Sequence, residues 1–158
     1  GPGVAGEVLI RGPSVMQGYW KQPEITEQTM KDGWLHTGDV GVMDTDGYIR
    51  IVDRLKDMIV TGGENVFCGE VENAISEHPD AIACAVVGIP DEKWGERVHA
   101  FVVVTEETIL TEGMLRDHCK TLLAGYKCPR NATFTTEPLP LSAVGKVRKD
   151  LLRNQITG

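Results

Sequence analysis

Three places in the 158-residue sequence combine residue types that can do chemistry. Near the end, Leu139-Pro140-Leu141-Ser142-Ala143-Val144-Gly145-Lys146-Val147-Arg148 sets Lys146 in a loop, ahead of a Lys/Arg-rich terminal stretch. A loop lysine on its flexible stem can reach an anionic ligand, whereas a lysine on a helix face is usually just solvated. Earlier, Gly33-Trp34-Leu35-His36-Thr37-Gly38-Asp39 ends on a carboxylate. Its two oxygens can accept from two neighbouring hydroxyls, the arrangement of a vicinal diol. The alternative for Asp39 is an Asx-turn that merely closes a strand. Between these lies Asp53-Arg54-Leu55-Lys56-Asp57, followed closely by Thr61-Gly62-Gly63-Glu64-Asn65. Charges at that density suit an exposed joint, because each buried charge needs a partner. The Gly-Gly pair lets a ligand come close to the backbone.

The elements that must position these residues fall into two groups. In the first, Val8-Leu9-Ile10 and Trp34-Leu35-His36 read as strands, with 40–43 continuing beyond a turn at Gly38-Asp39. Tyr48-Ile49-Arg50-Ile51-Val52 alternates as a strand does. Pro23-Glu24 opens a short helix to about Met30, and Asp44-Thr45-Asp46-Gly47 is a hairpin turn. Met58-Ile59-Val60 is a short strand that starts the second group. A helix follows over 69–78, with Val71, Ala74 and Ile75 on one face and Pro79 ending it. The runs 82–89 (IACAVVGI) and 98–104 (VHAFVVV) are too apolar for a one-sided sheet edge, which predicts two central strands covered by helices. A helix over 111–124 turns Leu115, Cys119, Leu122 and Leu123 inward and takes Gly125 as its C-cap. Residues 132–135 form a short strand and 149–156 a last helix. The expected class is α+β: a small β-rich section over 1–54, hinged to a compact α+β module over 55–158 with a central three-stranded sheet covered by helices.

Composition bounds what such a chain can do. With 41% apolar residues it can bury a core, and no apolar stretch approaches the length of a membrane span or opens the chain as a signal peptide. Cys68, Cys84, Cys119 and Cys128 show neither CxxC nor metal-ligand spacing, so no metal site is expected from them. Cys84 reads as a small core residue, and a reduced, cytosolic setting is the default. The net charge is −7, yet residues 120–158 carry seven basic side chains against two acidic ones. A basic tail on an acidic protein suits the phosphates of a nucleotide or coenzyme. Nucleic acid fits poorly, since its binders present a broader basic face.

Four strings, GEVLIRGPSVMQGYWKQPEIT, GWLHTGD, YIRIVDRLKDMIVTGGEN and LPLSAVGKVR, occur in that order. Together they resemble the adenylate-forming superfamily of acyl-CoA synthetases, peptide-synthetase adenylation domains and beetle luciferases. The resemblance runs from about Gly6 to Arg153 and enters the family pattern well past its middle. It implies a piece of a longer enzyme: the tail of the large AMP-binding domain, over 1–54, followed by the mobile C-terminal domain.

The same resemblance implies roles for particular residues. Lys146 would bridge the attacking carboxylate and the α-phosphate of ATP, Asp39 would hold the ribose, and Arg54 would lie on its ribose or phosphate side. The alternative for Arg54 is a surface ion pair with Asp53 or Asp57, worth little. Lys56 matches the hinge about which the C-terminal domain turns between two half-reactions. Gly62, Gly63, Glu64 and Asn65 resemble the loop lining the CoA thiol tunnel. Trp94 stands where some relatives stack the adenine of CoA; a plain exposed loop tryptophan is the alternative. Tyr126, Lys127 and Arg130 are more distant matches to contacts with the CoA phosphates. His36 reads as a neighbour of the turn rather than a base.

The implied function is that of an ATP-dependent acid–CoA ligase. A carboxylic acid, fatty by resemblance, would be converted with ATP to acyl-AMP and then passed to CoA. Magnesium ligands are expected upstream, and the chain alone is expected to be inactive, since it shows no phosphate loop and no acyl pocket. A different class of reading is a non-catalytic nucleotide- or CoA-binding module, or a target whose Lys146 is modified by a protein lysine acyltransferase. An adenylation domain from another branch of the superfamily is the remaining alternative.

Overall fold

Two units, Gly1–Lys56 and Asp57–Gly158, make up the computed structural model, which describes every residue of the chain. In the first unit all pairing runs through one long strand, β3 (Trp34–Met43). It takes β1 (Ala5–Ile10) on one side, and β2 (Met30–Lys31) and β4 (Ile49–Arg54) on the other, all antiparallel. β2 turns into β3 through Asp32-Gly33, at φ 51° and 77°. That is the left-handed pair a two-residue hairpin demands and that Asp and Gly supply. At the other end the predicted hairpin turn is present: Asp44 Oδ1 accepts from the Asp46 and Tyr48 N–H groups at 3.0 and 2.9 Å. The helix α1 (Pro23–Thr29) starts at its proline, whose missing N–H costs nothing there.

The sequence predicts a turn at Asp39; instead β3 runs straight through it. A bulge at Thr37-Gly38-Asp39 absorbs the extra residues while the strand continues. Asp53 and Arg54 likewise belong to β4 rather than to the charged joint, since pairing with β3 uses only their backbone. Little is hidden in this unit. Val40 is its sole buried apolar side chain, whereas Tyr48, Ile49 and Ile51 are each more than half exposed.

The second unit is built on β8 (Gly95–Val103). β7 (Ala83–Asp91) pairs antiparallel along its whole length, and β9 (Asn131–Thr135) runs parallel to its C-terminal half. The hairpin of β5 (Ile59–Thr61) and β6 (Glu64–Val66) joins through Thr61 and Gly95. The predicted three strands are therefore the body of a five-stranded sheet, extended by a hairpin whose strands are too short to show a period. Helices α2 (Cys68–Ser76) and α3 (Glu112–Leu122) cover one face, where Val71, Ile75, Val86, Ala100, Val102 and Leu115 pack together. Helix α4 (Lys149–Thr157) covers the other, with Leu152 against Ala85, Val87, Ile89 and Phe101. Successive residues of β7 thus feed opposite clusters, as the period of a strand requires.

Two expectations fail here. β7 is an edge strand, not a central one; its apolar run reflects helices on both faces rather than strands on both sides. Two groups on its open edge are held by side chains. Glu72 Oε1 accepts from the Val86 N–H at 2.8 Å, and Arg153 Nε donates to the Gly88 carbonyl at 3.2 Å. Glu72 also meets Lys149 Nζ at 2.7 Å, tying α2 to α4 across that edge. The second failure is at α3. Thr111 caps its start, accepting from the Met114 N–H, but the helix stops at Leu122 with extended Leu123 as its C-cap. Gly125 is therefore no cap, and Leu122 is exposed while Leu123 packs on the core.

Candidate functional site

In the first unit the bulge decides where Asp39 points. β1 pairs Glu7 with Val40 and then Leu9 with His36, so Thr37, Gly38 and Asp39 stand opposite Val8 alone. Their backbone groups find partners one by one. Gly38, at φ 70°, donates its N–H to Glu7 Oε1 at 3.0 Å, and His36 Nδ1 lies 2.8 Å from Glu7 Oε2. Thr37 Oγ1 donates to the Val8 carbonyl and accepts the Asp39 N–H at 3.1 Å. The Gly38 carbonyl accepts from the Leu55 N–H at 2.7 Å. The His36 hydrogen bond, with the Gly38 N–H adding to it, holds the Glu7 carboxyl below the ordinary range.

Asp39 lies directly across β3 and β4 from Arg54, and Arg54 Nε is 2.9 Å from Asp39 Oδ1. The Arg54 guanidinium thus pairs with Asp39, while Asp53 Oδ1 accepts the Arg54 backbone N–H at 2.7 Å. The ion pair fixes one carboxylate oxygen and leaves Oδ2, on a side chain 32% exposed, without a protein donor. Lys56 is the last residue of this unit.

The second unit carries two further groups of candidates. Gly62 and Gly63 are the turn of the β5–β6 hairpin, at φ 61° and 86°. Gly62 meets a second demand: its N–H donates to the Trp94 carbonyl, and a Cβ there would fall 2.9 Å from the Trp94 ring. Trp94 is partly buried rather than loose in a loop. The Arg130 guanidinium lies 4.6 Å and the Lys93 ammonium 4.8 Å from its ring centroid. Glycine turn, Trp94 and Arg130 therefore form one cluster, while Glu64 and Asn65 lie exposed on β6. Tyr126 sits beside Lys127, whose ammonium contacts both Glu70 oxygens at 2.7 Å. That pairing neutralises Lys127 as an anion-binding group.

Lys146 occupies a closed turn. Leu141 and Val147 bridge as an antiparallel pair, and the Lys146 N–H donates to Ser142 Oγ at 3.1 Å. Gly145, at φ 78°, donates to the Ser142 carbonyl and lets the chain reverse. Leu139 and Val147 anchor the turn by packing on the Phe101 and Leu152 cluster. The neighbouring cations are all engaged. Arg148 pairs with Asp150 at 2.6 Å, Lys149 with Glu72, and Arg153 with the Gly88 carbonyl. Lys146 is exposed and pairs with no acidic group. No group of three or more His, Cys, Asp or Glu side chains is gathered to hold a metal ion.

Sequence reasoning passed over Glu7 and Glu72. Each accepts a backbone N–H from an element distant in sequence, which only the fold reveals.

Residues 70–146, within the second unit, match the AMP-binding enzyme C-terminal domain. Feruloyl-CoA synthase from Amycolatopsis sp is 46% identical over 98% of this chain. The long-chain-fatty-acid–CoA ligase of Salmonella typhimurium is 46% identical over 99% of it. The chain spans only 31% and 28% of the lengths of those two relatives. Among solved structures, ATP-bound MatB from Rhodopseudomonas palustris matches with a TM-score of 0.89 at 36% identity, over 98% of this chain and 31% of that one.

Proposed function

We propose that this chain works as the C-terminal portion of an ATP-dependent acid–CoA ligase. The observation that carries the reading is Lys146, unpaired among neighbours whose charges are engaged. In the first half-reaction a carboxylate attacks the α-phosphate of ATP, and pyrophosphate leaves. Two anions must approach, and the phosphorus carries more negative charge in the transition state than before it. A cation aimed at that charge favours the transition state selectively. Asp39, with Oδ2 free, accepts from the ribose hydroxyls while Arg54 holds its other oxygen. In the second half-reaction the CoA thiol displaces AMP from the acyl-adenylate. The Gly62-Gly63 turn, with Glu64 and Asn65, admits the thiol arm, and the Trp94 and Arg130 cluster meets its nucleotide end. Lys56 is the hinge between the two steps.

The names of the relatives favour an acid with an apolar body, aromatic or long-chain. Four free cysteines, three of them buried, fit a reduced, cytosolic compartment, and no helix is long and apolar enough to cross a membrane. The exposed Lys146 is also open to a protein lysine acyltransferase, which would remove its charge and stop the first step.

Single-turnover assays of each half-reaction on the full-length ligase test the reading. Lys146→Ala should slow acyl-adenylate formation by roughly 10²–10³-fold, the loss expected for one preorganised electrostatic contact. Thioester formation from preformed acyl-adenylate should change far less. Equal losses in both steps would make the lysine structural.

A further inference from the structure

Glu7 has no part in the reading above, yet it holds the backbone from which the candidate ribose carboxylate projects. We propose that Glu7, oriented by His36, is a positioning residue for Asp39 and through it for nucleotide binding. The proposal rests on the reading of Asp39 as the ribose ligand.

The argument starts from the bulge. Three residues of β3 face Val8 alone, so the strand ladder cannot fix the backbone at Gly38. A glycine at φ 70° is held by no side chain of its own. What remains is to pin the two peptide planes that flank its Cα. The plane after Gly38 is held twice, its carbonyl by the Leu55 N–H and its N–H by Thr37 Oγ1. The plane before it has its N–H held by Glu7 Oε1. Fixing both planes sets φ and ψ of Gly38 together, and with them the direction of the next side chain, Asp39. The Glu7 contact is charge-assisted, and therefore among the stronger of these bonds. His36 Nδ1 on Oε2 keeps the carboxylate from rotating away. Both side chains are sheltered, 30% and 21% exposed for His36 and Glu7. Loss of Glu7 frees the Thr37–Gly38 plane, and Asp39 then swings relative to Arg54 although neither residue has been touched.

The test uses the full-length ligase and steady-state ATP–pyrophosphate exchange, with Glu7→Ala, Glu7→Gln and Asp39→Asn compared. Glu7→Ala should raise KM for ATP about tenfold, the low end for losing a hydrogen bond to a charged group, with kcat changing much less. Glu7→Gln should recover most of that loss. Its amide oxygen can still accept the Gly38 N–H, and its NH₂ can donate to His36 Nδ1 in the other tautomer. In the 158-residue chain, amide exchange at Gly38 should accelerate in Glu7→Ala and return towards wild type in Glu7→Gln. A wild-type KM in Glu7→Ala, or a lowered Tm and kcat with KM unmoved, would overturn the proposal. Asp39→Asn separates the two ideas. KM raised there but not in Glu7→Ala overturns the positioning role alone; KM unchanged in Asp39→Asn overturns the ribose reading and the proposal with it.

Discussion

The two units hold their candidate residues by different means. In Asp57–Gly158 the Lys146 turn is seated by Leu139 and Val147 on an apolar cluster, beneath a sheet covered on both faces. In Gly1–Lys56 the Asp39 carboxylate is aimed by hydrogen bonds at a bulge, in a sheet that hides a single apolar side chain. Packing is additive over many atoms and forgives the loss of one; a hydrogen-bonded bulge depends on each of a few groups. The difference teaches where each unit is vulnerable.

The largest expected contrast is in the units taken singly. Residues 57–158 alone should unfold cooperatively in urea, since both clusters lie within them. Residues 1–56 alone should show no sharp transition. A cooperative melt of the short fragment would break the comparison at its root. Next comes truncation of the packed side. Phe101→Ala should cost about 3–5 kcal/mol by urea titration, whereas Ile51→Ala, on a half-exposed side chain, should stay near 0.5 kcal/mol. Similar losses at both positions would mean that the first unit has a core of its own.

Glu72→Ala should fall between those values, at about 1–3 kcal/mol, because it leaves the Val86 N–H and Lys149 without their carboxylate. Glu72→Gln, which keeps the acceptor, should recover part of the loss.

The smallest effect is the response to acid, and it should separate the units. His99 is buried on β8, with Nε2 2.9 Å from Thr133 Oγ1 and Nδ1 unpartnered. Burial, with Arg97 adding to it, pushes its pKa down. The neutral form is therefore favoured by folding. Its contribution is complete above the unfolded value of about 6.5 and is lost as pH falls from there towards the lowered native value. Glu7 is a depressed carboxyl, so its contribution is complete above about 4.3 and is lost only as pH falls through its native value. Between pH 6 and 5 the second unit should weaken while Gly38 keeps its amide protection. Urea midpoints of His99→Gln should flatten over that range; an unchanged slope would remove His99 as the cause.

Much of the second unit was legible in the sequence because its elements carry a period. Val71, Ala74 and Ile75 announce α2, and two apolar runs announce β7 and β8. Periodicity reports how many faces are covered, however, not how many strands lie alongside, so β7 could not be recognised as an edge. The C-cap of α3 was misread for a related reason: Gly125 offered the right residue type, but Leu123 already leaves the helix in extended form. Lys146 could be picked out by its place before a helix. Its freedom could not, because that depends on the partners of Arg148, Lys149 and Arg153, all distant in sequence or set by helix geometry. Asp39 was legible as a residue and not as a conformation. The bulge that aims it comes from a register shift between Glu7 and Leu9, and no local pattern encodes that shift.

The plugged edge of β7 bears on how this chain meets copies of itself. A strand edge with free donors and acceptors is a template, and a newly made chain beside others on one messenger meets many such templates at once. Here Glu72 holds the Val86 donor and Arg153 the Gly88 acceptor. An incoming strand can offer only neutral amides, so it must displace a carboxylate and a guanidinium, each the stronger partner. With α2 and α4 closed over that edge, a neighbouring nascent chain must break both contacts before it can pair along the middle of β7.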